Sequence, residues 1–353
     1  MMKYLRIAFV ATFLTALTGP AFAQSCLPGG LTLTTQAEVN SFPMNHPGCT
    51  TIGGNVVILG ETITNLAPLA NVRQIDGDLQ ISSCSNLPNL NGLHRLHLIG
   101  GTVRIQNNAA LRTLGLDSLR SVRGDFMYIS SSPRLQSLAT LNRLDSIAGI
   151  FQVWDCDSLT SLTGLNGLRF VGATLAVFRN DKLLNFNGLN ALNRIGDALR
   201  IYENPVLNNL SALNHPVSIG GAMVITDNPL LSACAVSAVC NYLAAPPSFS
   251  AFSGNGAACN SAETILAACT TSTSSASYLE GLEVFPNPTD GMVWLKWPAA
   301  TLKTARLTDL WGRTLWQTSE QVPTIDMTRL SAGMYILEIS TDSGNAAIKL
   351  IRK

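Results

Sequence analysis

The sequence holds few of the residues on which catalysis and metal binding depend. Of its four histidines, His46 lies in a Pro-Gly loop without a second ligand type, and His215 stands alone. His94 and His97 lie in a turn whose leucines build the core, which favours loop or surface histidines over metal ligands. No HExxH, GxSxG, Walker or GxGxxG motif occurs, and no C-x-x-C pair that would favour zinc. We therefore expect no catalytic residues, no metal and no cofactor, in a protein that is not an enzyme.

Charged side chains are also few, at 13% of the 353 residues, and they sum to a net charge of +1. No basic run is interleaved with aromatic residues. Neither a nucleic acid nor an anionic membrane is expected as a partner. The hydrophobic residues, at 46%, are sufficient for a large core and for more than one domain.

No segment has the length and apolarity of a transmembrane helix. The apolar stretch at residues 7–17 is too short to span a bilayer. Lys3 and Arg6 precede it and the small-residue site at 21–23 follows it, which is the pattern of a secretory signal peptide over residues 1–23. The mature chain is expected to be exported and to contain no transmembrane segment.

What the sequence does contain is a repeat of 24 residues. A β-branched column is followed three positions later by a column of small hydrogen-bonding residues, and leucines recur in two further columns. The first two columns are Ile81, Ile105, Ile129, Val153, Val177, Ile201 and Ile225, and Cys84, Asn108, Ser132, Cys156, Asn180, Asn204 and Asn228. One turn cannot bury such a face, but stacked turns share a core. The sequence predicts a mainly β, right-handed solenoid over residues 51–232, with one parallel sheet and an inward polar ladder.

Six of the eight cysteines flank this repeat, in caps predicted at residues 24–50 and 233–269. In an oxidising compartment they predict disulfides that close the two ends. Cys26 pairs naturally with Cys49. The other four allow three connectivities, of which we favour Cys234 with Cys259 and Cys240 with Cys269.

The two remaining cysteines, Cys84 and Cys156, occupy the inward column three turns apart. At ~4.8 Å per strand they are roughly 14 Å apart, which is too far for a bond. We expect both to be free, buried and inert.

The caps and the region after them carry helix and linker signals. Thr35 and Glu38 form a capping box that opens a short helix ending before Pro43. Helical spacing predicts a second helix near residues 236–243 and a third near 263–269, the latter with Ile265 and Leu266 facing inward. The Ser/Thr-rich residues 270–281 predict a flexible linker.

The repeat resembles the receptor L domain of bacterial leucine-rich-repeat proteins. The turn I-x-G-x-L-x-I-x-x-N-x-x-L-x-x-L-x-G-L appears nearly whole at residues 75–93 and 171–189, and the resemblance covers roughly residues 26–269. The third turn is one residue short before Val122, and the first strand is displaced by one residue. The resemblance implies a solenoid closed by caps.

Residues 282–353 show about seven short alternating segments, which predict a small antiparallel Ig-like β-sandwich. They resemble the type A C-terminal sorting domain of the type IX (Por) secretion system in the motifs P-N-P-x-x-G, D-x-x-G-R and L-x-x-G-x-Y and in a basic, apolar terminus. The residues that carry these motifs are Pro286, Asn287, Pro288, Gly291, Asp309, Gly312, Arg313, Gly333, Tyr335 and Lys349.

This second resemblance implies export across the outer membrane by the type IX machinery. It further implies that a sorting peptidase removes the domain and that the mature protein becomes attached to surface lipopolysaccharide. The expected location is the cell surface or the extracellular space.

Outward strand positions, followed at the 24-residue step, place Trp154, Phe178 and Tyr202 on three consecutive strands. The neighbouring candidates are Arg104, Tyr128, Asp155, Arg179, Arg200 and Glu203. Aromatic residues surrounded by charges are typical of a contact patch for a protein or a glycan, whereas the alternative is a cross-strand ladder that only stabilises the sheet.

Two functional classes follow from the sequence. The first is an exported, adhesin-like binding protein with an unknown extracellular protein or glycan ligand. The second is a structural cell-surface or matrix protein without a specific ligand. A secreted hydrolase is less favoured, because no part of the chain between the signal peptide and the sorting domain lies outside the solenoid and its caps.

Overall fold

Each 24-residue turn contributes one strand to a long parallel sheet and one very short strand to a second sheet. The computed structural model describes residues 25–273, 282–297, 301–309, 313–342 and 345–353. The predicted signal peptide, residues 274–281 of the predicted linker and Gly312 lie outside these ranges. In chain order the strands of the solenoid are β1 Leu31–Leu33, β2 Thr51–Ile52, β3 Val56–Leu59, β4 Gln74–Ile75, β5 Leu79–Ser82, β6 Leu98–Ile99, β7 Val103–Gln106, β8 Ser121–Val122, β9 Phe126–Ser130, β10 Ser146–Ile147, β11 Ile150–Trp154, β12 Phe170–Val171, β13 Leu175–Phe178, β14 Arg194–Ile195, β15 Leu199–Tyr202, β16 Ser218–Ile219, β17 Met223–Thr226 and β18 Ser250–Ser253.

The long sheet contains ten parallel strands in the order β1-β3-β5-β7-β9-β11-β13-β15-β17-β18. Residues of one sequence column pair directly across it, as in Ile81 with Ile105 and Val153 with Val177. The short third turn pairs Ile99 with Val122, and the 24-residue register returns at Met127. The predicted solenoid, including its one-residue irregularity, is confirmed.

The second parallel sheet extends the prediction of a single sheet. Its eight strands, in the order β16-β14-β12-β10-β8-β6-β4-β2, have two residues each and lie just before the corner that leads into the long sheet. Ile75 pairs with Ile99 and Ile147 with Val171. Two residues are too few for an alternating pattern, so the sequence showed these positions only as core.

The inward polar column forms a ladder of buried hydrogen bonds. The side chains of Asn180, Asn204 and Asn228 are fully buried. The backbone N–H of Asn180 donates to Oδ1 of Asn204 at 3.2 Å, and Nδ2 of Asn204 donates to the carbonyl oxygen of Val177 at 3.1 Å. Asn255 in the C-terminal cap extends the ladder, because its Oδ1 accepts from the N–H of Asn228 at 3.1 Å. Its spacing of 27 residues hid it from the 24-residue period.

The caps contain three helices, α1 Gln36–Asn45, α2 Ser237–Ala244 and α3 Ala262–Thr273. The capping box of Thr35 and Glu38 opens α1 as predicted, but Pro43 lies inside the helix instead of following it. In α3, Ile265 is buried as expected, whereas Leu266 is 39% exposed, so its predicted inward orientation is wrong. Adjacent helical residues point about 100° apart, and a short helix on one surface buries only one of such a pair.

Helix α3 also continues to Thr273, into the segment whose composition predicted a linker. Threonine and serine cost little in a helix that packing has already nucleated. The disulfides Cys26–Cys49, Cys234–Cys259 and Cys240–Cys269 are as predicted. Cys84 and Cys156 are free and buried, also as predicted.

The C-terminal domain is a two-sheet antiparallel sandwich with a core of its own. Its strands are β19 Glu283–Phe285, β20 Met292–Lys296, β21 Leu302–Asp309, β22 Thr314–Thr318, β23 Thr324–Asp326, β24 Gly333–Thr341 and β25 Asn345–Arg352. They form the sheets β19-β20-β23 and β22-β21-β24-β25. Val293, Leu307 and Leu337 are among the buried residues between them. Within the described residues, no helix combines the length and apolar character that crossing a bilayer requires.

Candidate functional site

Five aromatic side chains form a continuous row of ring contacts on the outer face of the long sheet. We call Phe126, Tyr128, Trp154, Phe178 and Tyr202 the aromatic row. Ring centroids are 4.2 Å apart for Phe126 and Tyr128, 5.5 Å for Tyr128 and Trp154, 5.5 Å for Trp154 and Phe178, and 4.5 Å for Phe178 and Tyr202. Of the three residues that the sequence placed on consecutive strands, Phe178 therefore contacts both Trp154 and Tyr202.

The row is longer than the sequence predicted. Phe126, which was missed, precedes Tyr128 by two residues on β9, so alternation alone places both on one face. The guanidinium carbon of Arg104 lies 5.0 Å from the centroid of the Phe126 ring and forms a cation–π contact at that end. Arg200 lies two residues before Tyr202 on β15 and is exposed. The predicted aromatic and arginine candidates thus share one surface.

The rings of the row are partly buried and pack against one another. Trp154 and Phe178 are stacked with an angle of 5° between their planes, and Phe178 and Tyr202 with an angle of 10°. Stacked rings cover each other's faces, so this part of the row presents mainly ring edges to solvent. Burial raises the pKa of the Tyr202 phenol, and the charge of Glu203 adds to the effect. The hydroxyl therefore remains protonated at neutral pH.

The charged candidates Asp155, Arg179 and Glu203 lie just beyond the strand ends and not within the strands, where the sequence had placed them. Their φ angles are 50°, 54° and 55°, in the left-handed region. This conformation turns the chain so that the next residue, on the inward ladder, points into the core. Nε of Arg179 lies 2.6 Å from Oε2 of Glu203, and this ion pair raises the pKa of Arg179.

A shallow acidic groove follows this turn, beside the aromatic row. The residues that line it are Asp155, Asp157, Arg179, Asp181, Glu203, Pro205 and Asp227. Five carboxylates thus surround one guanidinium. Burial raises the pKa of Asp157, and the charges of Asp181 and Asp155 raise it further. A cationic side chain entering the groove would relieve this repulsion.

The sorting motifs lie in the separate C-terminal sandwich. Asn287 bridges to the last strand, since its Nδ2 donates to the carbonyl oxygen of Lys349 and its Oδ1 accepts from the N–H of Ile351 at 2.9 Å. Oγ1 of the buried Thr289 accepts from the N–H of Gly291 at 3.0 Å. The segment from Pro286 to Gly291, with Pro288 inside it, therefore fixes the chain terminus to the sandwich.

The other two motifs close turns. The N–H of Arg313 donates to Oδ1 of the buried Asp309 at 2.9 Å, and Nε of Arg313 donates to Oδ2 at 2.7 Å. The hydroxyl of Tyr335 donates to the carbonyl oxygen of Ser331 at 2.7 Å, next to Gly333 at the start of β24. The motif residues that the structure describes thus hold the sandwich together.

Comparison with family models supports both resemblances. Residues 48–143 match the receptor L domain, and residues 283–353 match the secretion system C-terminal sorting domain. The second match indicates secretion across the outer membrane to the cell surface or the extracellular space. A comparison with curated proteins gives no match.

Proposed function

We propose that this chain, a receptor L domain solenoid carried across the outer membrane by a type IX sorting domain, is an adhesin-like protein that binds an extracellular ligand. The binding surface in this proposal comprises the aromatic row and the acidic groove beside it. The protein acts by binding and not by catalysis. Its further proposed partners are the sorting peptidase and surface lipopolysaccharide.

The observation that carries the proposal is the row of five partly exposed aromatic rings on the long sheet. Large aromatic side chains in contact with solvent are enriched at binding surfaces, because they supply much contact area at a low cost in side-chain entropy. A mixture of apolar rings and adjacent charges gives both burial and orientation to a complex.

The stacking favours a protein ligand over a glycan. A sugar that binds to an aromatic side chain lies flat on the face of the ring, but Trp154 and Phe178 cover one another's faces. Their edges suit apolar and aromatic side chains, which pack edge to face. The acidic groove would receive lysine or arginine side chains of the same partner. We therefore favour a protein with a basic, aromatic-containing surface as the ligand.

The structural alternative also has support from the ring contacts. Cross-strand pairs stabilise a sheet by about 0.2–1 kcal/mol each. The contacts of Tyr128 with Trp154, Trp154 with Phe178 and Phe178 with Tyr202 would together stabilise the fold by up to about 3 kcal/mol on that scale. If the aromatic row only stabilised the sheet, substitutions in it would lower the free energy of unfolding without changing ligand binding.

Substitution separates the two functions. We would compare the wild type with the triple variant Trp154→Ser, Phe178→Ser and Tyr202→Ser on immobilised extracellular-matrix proteins and on an array of neutral glycans. Binding to protein that falls at least tenfold, under conditions where the variant remains folded by circular dichroism, supports the proposal.

The matched control is Gln80→Ser with Gln106→Ser, since both residues lie on the same outer face, on β5 and β7, and neither belongs to the aromatic row. This variant is expected to bind as the wild type does. Unchanged binding by the triple variant would assign the row to sheet stability alone. Binding to the glycan array that the triple variant loses would instead identify a glycan ligand.

A further inference from the structure

A second charged surface lies on the side of the coil that carries the short sheet. Four arginines, one histidine and one serine line a shallow depression there. They are Arg73, Arg95, His97, Ser118, Arg120 and Arg143, which we call the basic cluster. The four arginines and the histidine are exposed and come from four consecutive turns.

The short sheet brings these residues together. Arg73, His97 and Arg120 each precede the buried residue of a short strand by two positions. The N–H of His97 donates to the carbonyl oxygen of Arg73 at 2.8 Å, and the N–H of Arg120 donates to that of His97 at 3.0 Å. The backbones of successive residues are therefore about 4.8 Å apart, the spacing of neighbouring strands. Arg95 and Arg143 widen this line on two of the turns.

The charges of the arginines in the basic cluster are not neutralised by ion pairs with other described residues. None of its arginines forms an ion pair within the part of the chain that the structure describes, whereas the neighbouring Asp145 lies 3.6 Å from Nε of Arg169. Guanidinium groups keep their charge at every relevant pH. Four of them within a few turns repel one another, and their exposed side chains add no core packing. This arrangement is unfavourable without an anion and favourable with one.

We propose that the basic cluster binds a linear sulfated polysaccharide. Sulfate esters are permanently charged oxyanions, and guanidinium binds such groups through paired N–H donors. A line of cations that follows the solenoid axis fits a chain with several sulfates better than a single small anion, for which the open depression offers no enclosing walls.

The residues of the cluster disfavour a nucleic acid. Proteins that bind single strands interleave their cations with aromatic side chains on which bases stack, and no phenylalanine, tyrosine or tryptophan lines this depression. The proposal does not rest on ligand binding by the aromatic row, because the two surfaces have different elements and opposite charge. The sequence concealed the cluster, since its members are separated by whole turns and the net charge is only +1.

The test uses heparin as the probe and the full chain as the protein. We expect the protein to bind heparin at 50 mM salt and to bind it much more weakly at 200 mM, because salt screens exposed charge pairs. The double variant Arg95→Gln with Arg120→Gln should bind about tenfold more weakly, since two exposed contacts between opposite charges are lost. Arg95→Lys with Arg120→Lys keeps the charge and should lose less.

The control is Arg112→Gln with Arg134→Gln, which removes the same charge from two exposed residues outside the cluster. It should bind heparin as the wild type does. An equal loss in the control, or no heparin binding at all, would overturn the proposal. Binding of desulfated heparin or of an oligo-dT strand as tightly as heparin would overturn it as well, since sulfate would then not be recognised.

Discussion

The ladder of buried asparagines is the feature of the solenoid in which the loss of a few side-chain atoms should lower the free energy of unfolding most. We develop Asn204→Ala because Asn204 is fully buried and every polar atom of its side chain has a partner. The substitution deprives the N–H of Asn180 of its acceptor and removes one donor from the carbonyl oxygen of Val177. It also leaves a small cavity between two turns.

The magnitude follows from these losses. An orphaned buried N–H costs about 1–3 kcal/mol, and a carbonyl that loses one of its bonds costs about 1 kcal/mol. With the cavity, we expect a decrease of about 3–4 kcal/mol in the free energy of unfolding. Asn204→Cys should cost less, because the chain itself places Cys84 and Cys156 in this column.

The assay is urea unfolding of the full chain, followed by far-UV circular dichroism. The control is Asn193→Ala, whose side chain is exposed and whose loss should change the free energy of unfolding by no more than about 0.5 kcal/mol. If Asn204→Ala cost as little as Asn193→Ala, the ladder would not be a stabilising element and the reasoning would fail.

Three further predictions concern other parts of the chain. Burial raises the pKa of the Cys84 thiol, and it raises that of Cys156 to about 12, so neither should react with a thiol reagent at pH 8 until the protein is unfolded in urea. Asp157→Asn should raise the melting temperature at pH 7, corresponding to a few tenths of a kcal/mol once solvent screening is considered. Burial and two neighbouring carboxylates raise the pKa of Asp157 in the folded state, so the fold disfavours its charged form. The stability gained by Asp157→Asn should therefore shrink as the pH falls through that pKa and vanish below the unfolded value near 3.8. A gain in stability that stayed constant with pH would contradict this cause. Asn287→Ala removes the bridge to Lys349 and Ile351, and fractionation should find more of the protein in the periplasm than for the control Gln317→Ala, whose side chain is exposed on the same domain. Equal secretion of the two variants would show that the bridge is dispensable.

The 24-residue period predicted the long sheet, its register and the ladder because all three depend on residues that recur at one spacing. Features outside that spacing were missed. The short sheet has strands too brief for alternation, and Asn255 stands 27 residues after Asn228. At the candidate site, the columns located Trp154, Phe178 and Tyr202, but the contact of Phe126 with Tyr128 depends on ring orientation, which no spacing encodes.

The charged residues of the acidic groove and the basic cluster also show which features the sequence spacing predicts and which it does not. Asp155 and Glu203 were found as members of a column, but their left-handed conformation was not, because that conformation usually signals glycine or asparagine. The basic cluster combines residues from two columns, two positions apart, over four turns. Its arginines meet only after the coil has closed, so a single column read along the chain does not reveal them.

The residues with left-handed backbone conformation, one after each strand of the long sheet, affect where charged side chains lie along the solenoid. Every turn requires this backbone conformation, and glycine would meet the requirement with the least strain. Small or polar residues occupy it in early turns, at Ser83, Asn107 and Ser131, whereas Arg179 and Glu203 occupy it beside the aromatic row. Long charged side chains are poorly suited to this conformation. Two long charged side chains in this conformation thus lie at the candidate surface, and replacing either residue with glycine should exchange a contact group for a more stable coil.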